Sequence, residues 1–196
     1  MEAFLISLGV VAVSEIGDKT QLLALLLAAR FKRPGPIIAG ILLATILNHA
    51  VAGLVGSWVA THVDPTILRW GLGLLFIAMG AWALVPDSLG EETGVKDATT
   101  TVDILWITTV SFFIAEIGDK TQIATAALAA RFDSLVAVVA GTTTGMLLAD
   151  VPAVYLGRLA TEKLHGPWVR YVAATIFVVM GIVTLMADSL DNLLKP

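Results

Sequence analysis

Cysteine is absent from the 196 residues. That excludes disulfides, thiolate metal sites and cysteine nucleophiles. Charge is scarce too: Asp, Glu, Lys and Arg make up 14% of the chain, where soluble domains run nearer a quarter. There is no basic surplus. The net charge is -4, with much of the acid in one loop and one repeated motif, so no nucleic-acid surface is expected. The opening Met1-Glu2-Ala3 lacks the positive region of a signal peptide, and the first apolar segment is read as a retained span. What is abundant is apolar: 57% of residues are hydrophobic and the mean hydropathy is +0.88. This is the composition of an integral membrane protein, with no segment long enough for a separate soluble domain.

Apolar runs cover roughly 3–29, 36–60, 67–86, 104–130, 135–160 and 169–187. Each is close to the ~20 residues a helix needs to cross a bilayer. Turn and charge signals separate them: Arg30 to Gly35, His62 to Pro65, the acidic stretch 87–103, Arg131 to Ser134, and Glu162 to Pro167. The alternation and aromatic girdles of a β-barrel are missing, so the spans are predicted to be helices.

The string Glu15-Ile16-Gly17-Asp18-Lys19-Thr20-Gln21 recurs letter for letter as Glu116-Ile117-Gly118-Asp119-Lys120-Thr121-Gln122. The offset, 101 residues from Glu15 to Glu116, also pairs Ala28-Ala29-Arg30-Phe31 with Ala129-Ala130-Arg131-Phe132, Ala39-Gly40 with Ala140-Gly141, Gly56 with Gly157, Arg69 with Arg170, and Met79-Gly80 with Met180-Gly181. A constant offset means a duplicated unit without insertions. A three-span unit ends on the side opposite its start, so the second copy must cross the other way. The predicted fold is all-α and membrane-integral: six transmembrane helices as two inverted three-helix repeats. Residues 1–90 form the first repeat, 91–103 a cytoplasmic acidic linker and 104–196 the second, inverted repeat. With residues 30–35 inside, seven Lys and Arg fall on that side against three on the other. Both termini are therefore expected outside and the 87–103 loop in the cytoplasm.

Charges inside an apolar span persist mostly where they face a protein interior and serve a function. Glu15 and Asp18 are three apart, so both carboxylates are expected on one helix face, as are those of Glu116 and Asp119. A pseudo-two-fold axis would bring the pairs together near the midplane. Four carboxylates make an oxygen-rich cage suited to hard divalent cations such as Ca²⁺, Mg²⁺ and Mn²⁺. They carry -4 and Lys19 and Lys120 return +2; the remaining -2 matches one divalent cation or two protons. That is the logic of an antiporter, because burial disfavours bare carboxylate charge and makes proton loading feasible.

The neighbours carry two readings each. Gly17 and Gly118 permit either a local helix break with exposed carbonyls or close packing between spans. The first span, about 27 residues or 40 Å long, must tilt, protrude or break against a core of about 30 Å. Lys19 and Lys120 lie four residues after a glutamate, and an intrahelical Glu–Lys pair is favoured over a counter-ion released on cation binding. Thr20, Thr121, Gln21 and Gln122 either add ligand oxygens or cap local backbone. Gln21 and Gln122, at i+3 from the aspartates, are the better ligand candidates. Asn48 and His49 in the second span and Asp150 in the fifth are possible accessory residues for protons or ions, and the same offset relates His49 to Asp150.

The doubled Glu-x-Gly-Asp-Lys-Thr motif, one copy per three-span half, resembles the GDT family of manganese and calcium cation/proton exchangers. The resemblance covers nearly all of the chain. It implies a divalent cation/H⁺ antiporter and no enzyme, with Glu15, Asp18, Lys19 and Thr20 of the first copy and Glu116, Asp119, Lys120 and Thr121 of the second as functional positions. No targeting extension precedes the first span, so the resemblance points to a compact bacterial member in the cytoplasmic membrane, exporting Mn²⁺ foremost or Ca²⁺. The expected partners are the lipid bilayer and the transported cations and H⁺, with no resident cofactor and no nucleic acid.

Three rivals stand beside this reading. Asp18 and Asp119 each follow a glycine, as in intramembrane aspartyl proteases, but a protease dyad does not need a matched Glu and Lys beside each aspartate. An exporter of small organic cations or amino acids is a second, although a zwitterion would also need a positive subsite. A passive channel is the third, and a closed midplane site argues for alternating access instead.

Overall fold

A computed structural model of the chain describes residues 1–85, 100–132, 134–156 and 167–186. Every regular element among them is an α-helix: α1 (Glu2–Glu15), α2 (Lys19–Phe31), α3 (Pro34–His62), α4 (Pro65–Ala83), α5 (Thr101–Glu116), α6 (Lys120–Arg131), α7 (Leu135–Leu156) and α8 (Pro167–Leu185). Local chemistry fixes several ends. Pro34 and Pro65 open α3 and α4, where a missing N–H costs nothing. The Asp64 carboxylate accepts from the N–H groups of Thr66 (2.8 Å) and Ile67 (3.3 Å). Thr100 and Asp103 exchange bonds in a capping box at the start of α5. Most of the expected linker 91–103, together with residues 86, 157–160 and 187 of the expected spans, lies outside the described residues.

The helices α3, α4 and Leu135–Tyr155 of α7 are long and apolar enough to cross a membrane alone. α5 and α6 do so as a pair bent by 73°. The apolar runs 3–29 and 104–130 take the helix break that the sequence left open beside tilt, protrusion and close packing. Both are interrupted inside the repeated motif, between Glu15 and Lys19 and between Glu116 and Lys120.

The two halves interleave. α1 packs on α7, α5 packs on α3, α4 packs on α8, and α3 and α7 meet each other. Small residues permit this closeness. A Cβ on Gly40 of α3 would lie 2.8 Å from the Leu105 carbonyl oxygen of α5. At the repeat offset, Gly141 of α7 lies against the Phe4 carbonyl of α1. The same contact is thus made twice with the halves exchanged. Phe76 and Phe177, also one offset apart, are buried in one apolar cluster with residues of α1, α6 and α7. Large apolar side chains such as Leu54, Trp58, Trp70, Trp106 and Tyr171 point outward, as expected where lipid is the solvent.

Candidate cation site at the paired helix breaks

The local conformation of each motif copy follows from its sequence. α1 ends at Glu15 and Ile16 turns extended (φ -65°, ψ 116°). Gly17 takes φ 82°, a left-handed value that favours glycine. Asp18 (φ -80°, ψ 169°) then becomes the N-cap of α2. The second copy repeats the path: Ile117 at φ -61° and ψ 120°, Gly118 at φ 73°, and Asp119 at φ -76° and ψ 162°. The motif glycines are therefore break points rather than packing residues.

A break frees backbone groups that must find partners in an apolar setting. The glutamines supply them. Gln21 Oε1 accepts from the Gly17 N–H at 3.0 Å, and Gln122 Oε1 accepts from the Gly118 N–H at 2.8 Å. Each amide then donates to a helix of the other half. Gln21 Nε2 reaches the Ala149 carbonyl of α7 at 3.0 Å, and Gln122 Nε2 reaches Asn48 Oδ1 of α3 at 3.3 Å. Asn48 in turn donates to the Phe113 carbonyl at 3.1 Å. The glutamines brace the breaks, so the reading of them as the better ligand candidates gives way to backbone capping.

The carboxylates converge in a way a continuous helix does not allow. Glu15 and Asp18 do not share a helix face, because Glu15 closes α1 and Asp18 opens α2. The break itself turns them toward each other. Carboxylate oxygens of Glu15, Asp18 and Asp119 lie within 4.8 Å of one another, and all three side chains are buried. Glu116 is also fully buried. Two hydroxyls orient the glutamates: Thr20 Oγ1 donates to Glu15 Oε2 at 2.6 Å and Thr121 Oγ1 donates to Glu116 Oε2 at 2.9 Å. The remaining oxygen of each glutamate, Oε1, is buried without a hydrogen-bond partner.

The lysines correct the expectation of intrahelical Glu–Lys pairs. The four-residue spacing is helical only without the break. Lys120 Nζ instead lies 2.8 Å from Asp18 Oδ1, and Lys19 Nζ lies 2.8 Å from Asp119 Oδ1. Each lysine joins the opposite half. The pairs differ in access: the Lys19 side chain is 23% exposed and that of Lys120 is 6%. A cavity of about 20 Å³ beside Asp18 and Lys120 is also lined by Ser14, Gly17 and Arg170. That is room for one water-sized occupant. Sequence reasoning did not place Arg170 here; its only signal was the repeat partner Arg69. The Ala149 carbonyl was not legible either, since a main-chain acceptor leaves no mark on residue type.

Residues 3–91 and again 104–192 match the family model described as divalent cation/proton antiporter GDT1. The chain belongs to the GDT1 family. It is 47% identical over 185 residues to a candidate manganese exporter of Vibrio cholerae, an alignment covering 94% of this chain and 90% of that one. A GDT1-like protein of Synechocystis is 29% identical over 200 residues, covering 94% and 97%. A chloroplastic PAM71 homologue of Arabidopsis thaliana is 30% identical over 212 residues, covering 92% of this chain and 58% of that protein. No solved structure matches. The GDT1 family is one of transporters and not of enzymes, which removes the protease reading, and each family match contains one helix break.

Proposed function

We propose that this GDT1 protein is a secondary transporter that exports a divalent cation, Mn²⁺ first and Ca²⁺ second, in exchange for protons by alternating access. The observation that carries the proposal is the buried convergence of Glu15, Asp18 and Asp119 at two helix breaks from different halves. Glu15, Asp18, Glu116 and Asp119 hold the cation; Thr20 and Thr121 orient the glutamates; Lys19 and Lys120 are counter-ions. The family's description supports a divalent cation, and the Vibrio protein supports Mn²⁺ and the direction of transport.

The ion pairs sharpen the charge argument. Each aspartate already faces a lysine, so the outstanding -2 resides on Glu15 and Glu116. One divalent cation or two protons balances it, and the two loads compete for the same oxygens. In this proposal α1–α2, α3, α4, α5–α6, α7 and α8 are six spans, residues 1–90 and 104–196 are inverted repeats joined by a cytoplasmic linker, and both termini face outward from a bacterial cytoplasmic membrane. The reciprocal contacts Gly40–Leu105 and Gly141–Phe4 support the two-fold relation.

Metal content of cells grown in excess Mn²⁺ tests the proposal. Cells expressing the chain should hold several-fold less Mn²⁺ than cells without it, and cells expressing Glu15→Gln should not. Equal metal content in all three would overturn it.

A further inference from the structure

Asp150 of α7 is fully buried, and neither of its carboxylate oxygens has a hydrogen-bond partner among the described residues. His49 of α3 is equally buried, with both ring nitrogens unpartnered. The 101-residue offset relates them, and their settings are related too. Asp150 follows Ala149, whose carbonyl receives Gln21 from the first break. His49 follows Asn48, whose side chain receives Gln122 from the second break. One pseudo-symmetric position beside each break therefore carries a carboxylate on one side and an imidazole on the other.

The two are not equivalent electrostatically. Asp150 adds a carboxylate beside the first break, whose Gln21 reaches the adjoining Ala149 carbonyl, where His49 adds an imidazole beside the second. A buried carboxylate lacking a donor is costly unless a cation neutralises it. Among the described residues, no lysine is set against Asp150 in the way Lys120 and Lys19 are set against Asp18 and Asp119.

Resting on the cation-site reading above, we infer that Asp150 is a fifth carboxylate of the site, with His49 as its uncharged counterpart. Asp150 raises the outstanding charge from -2 to -3, which one divalent cation with one proton, or three protons, balances; the exchange of one cation for two protons is unchanged, and the bound cation is drawn toward the side of α7. The halves carry identical motifs but not identical pulls on the ion.

Calorimetric titration of the purified full chain in detergent with Mn²⁺ tests this. Asp150→Asn keeps the side-chain size and removes the charge, and it should weaken Mn²⁺ binding by about ten-fold or more, the scale of losing a supporting carboxylate. Glu15→Gln, measured alongside, should lose binding outright. Wild-type affinity in Asp150→Asn together with loss in Glu15→Gln overturns the fifth carboxylate and leaves the site standing. Wild-type affinity in both overturns the site as well. If Asp150→Asn does not fold, the transposed variant Asp150→His with His49→Asp keeps the composition and moves the carboxylate across the axis. It should bind Mn²⁺ within a few-fold of wild type, and a folded transposed variant that has lost binding overturns the inference.

Discussion

Lys120 Nζ lies 2.8 Å from Asp18 Oδ1, a buried ion pair whose partners come from different halves of the chain. Lys19 and Asp119 return the contact at the same distance. The two pairs tie each helix break to the other. They also occupy the aspartates that, with Glu15, face the candidate cation position. In the proposed function, cation entry and the joining of the halves act on the same carboxylates, the coupling an exchanger would require.

The pairs should contribute unequally to stability. Removing one partner of a buried ion pair leaves a charge behind, at a cost of about 3–5 kcal/mol. Lys120→Ala should approach that figure in detergent unfolding measurements. Lys19→Ala should cost clearly less, because water reaches the Lys19 side chain. Equal destabilisation by the two variants would contradict this geometry.

Glu15→Gln and Glu116→Gln should each abolish metal transport while leaving the melting temperature within a few degrees of wild type. Each substitution keeps the shape, and the amide can still accept from Thr20 or Thr121. A double variant with full activity would remove the glutamates from the site.

Gly118 isolates the contribution of backbone conformation. Its φ is +73°, and a Cβ added there meets nothing within 4 Å. Gly118→Ala should therefore cost about 1–2 kcal/mol through the left-handed backbone alone. Transport should fall as the break moves toward a straight helix. Gly118→Asn should cost less, since asparagine visits this region more readily. If alanine is tolerated as well as asparagine, the break does not depend on the glycine.

Gln122→Leu tests the bracing of the second break. It strips the acceptor from the Gly118 N–H and the donor from Asn48, at a cost of about 1–3 kcal/mol. Unchanged stability and unchanged transport would show that the amide does not brace the break.

Much of this arrangement can be read from the sequence. The helical class, the apolar runs and the duplication follow from composition and one constant offset. The motif carboxylates stand out because charge is rare in such segments. The break does not stand out, because Glu15 and Asp18 at i and i+3 fit a helix face as well as they fit a turn, and a glycine in a span has two readings. The lysines mislead for the same reason: i and i+4 signals a helical pair only while the helix continues. What decides between Glu15 and Asp119 as the partner of Lys19 is where the second copy sits, and that depends on how α1 packs on α7 and α5 on α3. Asp150 and His49 share an offset in the sequence, but only the packed structure sets them beside the two breaks.

The most direct measurement is Mn²⁺ flux into proteoliposomes holding the purified chain, with and without an imposed pH gradient. The expected flux accelerates with the gradient, moves protons the other way and disappears in Glu15→Gln. Flux indifferent to the gradient, or unchanged in Glu15→Gln, would contradict it.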